Sequence, residues 1–243
     1  MAREIEQTDK LREAVIEAKI EHAVLSTLED TRPVINASED KDSWPILGEE
    51  SGSYVPHLDG KGEAGKRFLE SAAPVTLLHT SFYYENFINF GMGPKKQAED
   101  QPYSVCFPTG DKPFAMNSLR DIGSNVLSIL QDPSTINTNQ GVCSEYNSGQ
   151  DIADAFSEVM GEKVVFAAVP PSVYATFGFP GAEDLANMFR FFVAFDQVHR
   201  DVADNEKRLG RKTDSMKDWI KDHKAAFIPA EVAEQTETPQ VVA

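Results

Sequence analysis

Two cysteines in 243 residues, Cys106 and Cys143, are too few and too far apart for a disulfide framework or a zinc knuckle. Reduced thiols are the plain reading, with Cys106, between Val105 and Phe107, a small buried hydrophobe rather than a redox sensor. Basic charge is also short: 23 Lys and Arg stand against 39 Asp and Glu, a formal charge of −16. An acidic surface repels a phosphate backbone, so direct nucleic-acid binding is not expected. No apolar run approaches the ~20 residues that cross a bilayer. The polar, mixed-charge stretch Met1 to Lys10 reads as neither a signal nor a transit peptide, which points to the cytoplasm, with the nucleus as a second location. The first glycine is Gly48, so no glycine-rich phosphate loop opens the chain, and neither G-x-S-x-G nor a P-loop occurs. His22, His199 and His223 lie scattered without the i, i+4 pairing of zinc hydrolases, and no metal site is expected.

What is present alternates between helical and extended patterns. Leu11, Ala14, Val15 and Ala18 predict a helix from about Arg3 to Lys19, and His22 to Thr27 a strand directly after it. Glu29 to Val55 is polar and punctuated by Pro and Gly, hence a loop whose length suits a lid or crossover. A helix is predicted from about Asp59 to Ser71, burying Phe68 and Leu69, then a strand Pro74–His79. Phe82 to Phe90 reads as a short aromatic helix, 91–102 as a loop, and Tyr103–Phe107 as a strand. Ser118 with Asp121, and Ser148 with Asp151, have capping-box spacing, each leading a helix; Gly141–Tyr146 between them is a strand. Lys163–Ala168 is a further strand, Pro170-Pro171 opens a short helix, and Thr213 caps a last helix through Met216, Trp219 and Ile220. Gly181 to Phe195 is a helix apolar on most sides, either core or a protein-binding face anchored by aromatics and Arg190. Residues 229–243 form an acidic, Thr/Gln-rich tail expected to be disordered. The whole is an α/β class with a parallel sheet.

Three segments carry a family resemblance: His57-Leu-Asp-Gly-Lys-Gly-Glu63, Ser81-Phe-Tyr-Tyr-Glu-Asn86, and Phe177-Gly-Phe-Pro-Gly-Ala-Glu-Asp-Leu-Ala-Asn-Met-Phe-Arg-Phe191. Together they resemble the NmrA-like family of atypical short-chain dehydrogenases, especially its animal NADPH redox sensors. The resemblance implies a Rossmann-like NAD(P)-binding domain lacking its N-terminal strands over residues 1–90, then a smaller α/β domain over 91–228. It implies a non-catalytic NADP(H)-responsive regulator acting through a protein partner, with a homodimer also in view. Where catalytic relatives carry Y-x-x-x-K, this sequence has His57-x-x-x-Lys61, keeping the lysine and replacing the phenol by imidazole. Lys61, Tyr83, Tyr84, Glu85 and Asn86 are the implied cofactor-binding residues, and His57 with Lys61 the only catalytic candidates. An NADPH-dependent reductase of the isoflavone-reductase type and a cofactor-free interaction module stay open as alternatives. Asp59 and Glu63 read as surface helix pairs, His79 as a core or edge histidine, and Ser26 and Thr27 as ordinary strand-end residues. Without the glycine turn, NADP(H) binding is expected to be weak or lost, and the Ala23–Ser26 strand to present an unpaired edge.

Overall fold

The computed structural model describes residues 2–195 and 200–228. Helix α1 (Ala2–Glu17) leads into strand β1 (Ala23–Thr27), short helix α2 (Arg32–Ala37), helix α3 (Pro56–Leu69) and strand β2 (Val75–His79). Then come β3 (Phe82–Tyr83), α4 (Asn86–Asn89), β4 (Tyr103–Phe107), β5 (Phe114–Asn117) and α5 (Leu119–Leu130). The remainder comprises β6 (Asn139–Gly141), β7 (Glu145–Asn147), α6 (Gly149–Met160), β8 (Val164–Ala168), α7 (Pro171–Tyr174), α8 (Ala182–Ala194), α9 (Val202–Leu209) and α10 (Met216–Asp222).

The first sheet is parallel, in the order β1-β2-β6, with Ala23 opposite Val75 and Thr27 opposite His79. Alternate side chains serve opposite faces, as a pleated strand requires. Val75 and Leu77, with Ala23 and Leu25, pack on Phe68 of α3 and Val15 of α1. Leu78 and Val24 pack on Ile122, Val126 and Ile129 of α5. Thus α5 and β6, from beyond residue 90, return to the first sheet. A mixed sheet β3-β5-β7 and a parallel pair β4-β8 form the rest. Their shared core is a web of phenylalanines: Phe82 meets Phe114 edge-on at 5.7 Å, and Phe87 meets Phe156 at 5.2 Å. Such geometry places ring edges against ring faces, adding stabilisation beyond area burial.

Both serine caps form: the Ser118 and Ser148 hydroxyls accept from the Asp121 and Asp151 amides, and Ser148 completes a capping box. Other expectations need correction. The 29–55 segment is not a plain loop, because α2 and two 3-10 turns fold within it. Phe82–Phe90 is a strand followed by a single helical turn, since Phe82 and Tyr83 pair with Met116 and Asn117. The single strand expected at Gly141–Tyr146 is two, β6 joining the first sheet and β7 the second. Ser215, not Thr213, caps α10; the Thr213 hydroxyl donates to the Ser144 carbonyl instead. Helix α8 is core: Phe189 and Phe191 are buried, and Arg190 lies over the Trp44 ring, so its anchors are spent within the chain. Cys106 is half-buried. The tail 229–243 and His199 lie outside the described residues.

Candidate functional site

Helix α3 starts at Pro56, whose fixed φ suits a first helical turn, and its N-terminal half presses onto the carboxyl end of β1. Two glycines permit this. A Cβ on Gly62 would lie 2.2 Å from the Asp30 backbone nitrogen, and one on Gly65 would lie 3.0 Å from Thr27 Oγ1. The Thr27 hydroxyl then donates to the Lys61 carbonyl at 2.8 Å. Asp59 corrects the surface reading. It is fully buried and accepts from the Thr31 amide and hydroxyl, the Ser53 hydroxyl, and the Tyr54 and Val55 amides. One carboxylate thereby gathers both ends of the 29–55 segment onto α3, and its charge is balanced by five donors rather than by water. Glu63 does pair at the surface, with Arg32 and Arg67, and hydrogen bonding from Arg32 holds its carboxyl below the usual range.

Lys61 directs its ammonium to Glu4 at the start of α1, and its side chain is 37% exposed. His57, one turn earlier, places Nδ1 2.7 Å from Asp184 Oδ2 in the first turn of α8. Segments 57–63 and 177–191 therefore meet through an imidazole and a carboxylate. Asn187, one turn along α8 from Asp184, donates to the Pro45 and Tyr54 carbonyls, pinning the 29–55 segment from its other side.

The second segment divides by direction. Tyr83 is half-buried, its hydroxyl 3.0 Å from Thr80 Oγ1 just past β2. Because Thr27 is the parallel partner of His79, Lys61 and Tyr83 border neighbouring strand ends. That carboxyl edge is where open α/β sheets take ligands. Asn86 opens α4 and is half-buried. Tyr84 is fully buried against Trp219, its hydroxyl near Glu145 Oε2 and the Asp214 carbonyl; burial, and then the Glu145 charge, push its pKa upward. Glu85 accepts from the Leu119 amide and Trp219 Nε1. Both belong to the packing beneath α10 and are not brought to Lys61. His79 is buried and Ser26 exposed.

Sequence reasoning missed Arg200. It is 2% exposed, donates from Nε to the Thr80 carbonyl at 2.9 Å, and pairs with Glu29 beyond β1, tying the two strand ends together. No local pattern marks it, since its partners lie far away in the chain. Asn117 was missed too. Its Oδ1 accepts from the Ser81 amide and hydroxyl, while its buried Nδ2 has no hydrogen-bond partner among the described residues.

The Lys61 ammonium, the Tyr83 phenol and the Asn117 amide are donors of the kind that a ribose or a carboxamide would use. Among the described residues no cluster could hold a metal ion, and no helix is long and apolar enough to cross a membrane.

The NmrA-like family model matches residues 1–220. The solved structure of Nmra, a negative transcriptional regulator, in complex with NADP superposes with a TM-score of 0.69 at 17% identity, covering 97% of this chain and 72% of that one. The Citrobacter sp. triphenylmethane reductase complexed with NADP(H) gives 0.66 at 17% identity, covering 92% and 71%. The Escherichia coli NADPH-dependent quinone oxidoreductase with NADPH gives 0.64 at 15% identity, covering 90% and 71%. These likenesses establish a shared Rossmann-type fold across regulators and reductases alike. By its family model, its parallel sheet and its signature segments, the chain belongs to the NmrA-like family.

Proposed function

We propose that this chain is a non-catalytic, NADP(H)-responsive regulator that acts through a protein partner. The observation that carries the reading is the Lys61–Glu4 pair, which joins the residue best placed for a cofactor to the first turn of α1. Bound NADP(H) would supply ribose and phosphate oxygens at this edge. Lys61 would exchange Glu4 for one of them, loosening the first turn of α1 from α3, so occupancy and conformation are coupled by a differential contact. Tyr83, Asn86 and the Asn117 amide would hold the nicotinamide side. Affinity for NADP(H) is weak in this reading, because Lys61 must first give up its pairing with Glu4. The cytoplasm, with or without the nucleus, is the proposed setting.

The test is hydrogen exchange of α1 with and without saturating NADPH, in the chain and in Lys61→Met. Exchange in α1 rises with NADPH in the parent and is unchanged in the variant. Equal responses in both would sink the reading, and so would micromolar single-site binding by calorimetry for its weak-affinity part.

The His57–Asp184 pair favours one alternative. A carboxylate that orients an imidazole suits it for proton exchange, which an NADPH-dependent reductase needs. NADPH consumption across quinones and carbonyls, abolished in both Lys61→Met and His57→Phe, would establish that reading instead.

A further inference from the structure

Strands β4 and β8 form a parallel pair that no other strand joins among the described residues. The far side of β4 is bridged by Lys95 at Ser104. The far side of β8 is closed only at its first residue. There Ser157 Oγ accepts from the Val164 amide at 2.9 Å and lies 3.1 Å from the Val164 carbonyl oxygen, so both Val164 groups point away from β4. By strand alternation Phe166 and Ala168 point their N–H and C=O groups the same way, where no hydrogen-bond partner meets them among the described residues. From Val164 to Ala182 the chain carries no charged side chain, nineteen residues in a chain of formal charge −16. That stretch holds a group of rings, Tyr174 lying 5.1 Å from Phe177 and 5.7 Å from Phe179 between centroids. Tyr174 sits near Cys106, the register partner of Ala167, so the rings lie on the Ala167 face of the strand pair. Val173, Phe177 and Phe179 are 44%, 46% and 37% exposed.

We infer that this edge is an interface between two copies of the chain, β8 pairing antiparallel with β8 about a two-fold axis at Ala167. In that register the outward groups of Phe166 and Ala168 meet those of Ala168 and Phe166 of the second copy, and they make four hydrogen bonds. The sequence is complementary to itself there. Val165 meets Val169, Phe166 meets Ala168 and Ala167 meets Ala167, so β-branched side chains face each other and a large ring faces a small side chain. Pairing turns two strands, marginal by themselves, into four. Charge selects this edge for self-association, because acidic surfaces repel each other and neither copy presents an acid here. Pro170 and Pro171, which lack N–H groups, keep the edge short, and an isologous contact closes as a dimer. The three half-exposed side chains add roughly 200 Å² of apolar area, which places the contact among small, reversible interfaces. All of these residues lie between 95 and 182, and the interface depends neither on the cofactor reading nor on β1.

Sedimentation velocity of the chain from about 1 to about 100 µM tests this, because mass action makes a dimer concentration-dependent. A reversible monomer–dimer equilibrium is expected, with hydrogen exchange at the Phe166 and Ala168 amides slowing as the dimer fills. Ala168→Pro, which removes an outward N–H and no internal bond, and Ala167→Glu, which sets two carboxylates opposite each other on the axis, each weaken it at least about tenfold. Circular dichroism melts establish that both variants fold, and exchange at the two amides of the parent chain decides if they do not. A monomer throughout, open-ended oligomers, a dimer indifferent to a folded variant, or a dimer that leaves the two amides unprotected would each overturn the inference.

Discussion

Replacing Gly62 by alanine pits two effects of opposite sign against each other. In a helix interior Ala is better than Gly by up to about 1 kcal/mol, so propensity alone predicts stabilisation. The structure predicts otherwise. The new Cβ would sit 2.2 Å from the Asp30 nitrogen, 2.7 Å from its Cα and 2.7 Å from the Glu29 carbonyl carbon. All three are backbone atoms, so α3 must lift from the end of β1 and strain the Thr27–Lys61 hydrogen bond. Overpacking of this kind costs about 1–3 kcal/mol and sometimes more. The net is a loss of roughly 1 kcal/mol, or about 2–4 °C in Tm for a domain of this size. Two controls bracket it. At Gly65 the nearest atoms belong to the Thr27 and Leu77 side chains, which can yield, and at Gly123 nothing lies within 4 Å. Gly65→Ala should be near neutral, and Gly123→Ala should gain the full propensity term. Urea denaturation of the three variants measures all of this. A Gly62→Ala protein as stable as Gly123→Ala would refute the close approach of α3 to the strand end.

Asp59→Asn keeps the shape but turns one acceptor into a donor facing donors, so at least one buried partner is stranded, at a cost of about 1–3 kcal/mol. Limited proteolysis should then cut first within 29–55, and an unchanged cleavage pattern would show that Asp59 does not hold that segment. Burial pushes the Cys143 thiol up to about 12 from an ordinary 9.0. The fold thus favours the neutral thiol: its contribution is intact below pH 9 and is lost as pH rises toward 12. Denaturation midpoints should fall across that window, less steeply in Cys143→Ala; identical slopes would show that the thiol is not the cause.

The elements legible in the sequence were those whose causes are local. Ser118 and Ser148 could be read as caps because their partners are three residues away. The parallel character of β1 and β2 showed in apolar runs separated by a helical period. Strand β5, Phe-Ala-Met-Asn, was invisible because all four residues are buried and no alternation marks it. Helix α9 was missed because its burial rests on Asn205, a polar side chain that donates to the Gly141 carbonyl, rather than on an apolar stripe. The split of 139–147 between two sheets depends on which strands wait on either side, which the segment itself does not encode. Family resemblance named a run of residues, but not the direction of each side chain. Tyr83 and Tyr84 are equivalent by pattern, yet one borders the strand ends and the other lies under Trp219. Asp59 reads as a surface charge until its five donors arrive from the 31–55 backbone and side chains. Asp184 and Arg200 are set by contacts with His57 and Glu29, 127 and 171 positions away.

The Arg200–Glu29 tie has a consequence for how the molecule is made. Its halves are separated by 171 positions, and β6, the third strand of the first sheet, also arrives late. A ribosome adding 5–20 residues per second delivers Arg200 roughly 10–30 s after Glu29. For the first part of that interval the nascent β1–β2 layer lacks its α5 cover and its β6 neighbour, and throughout it Glu29 lacks its buried counter-ion. Such long-range closure slows folding and leaves the early segment dependent on protection until the last fifth of the chain has emerged.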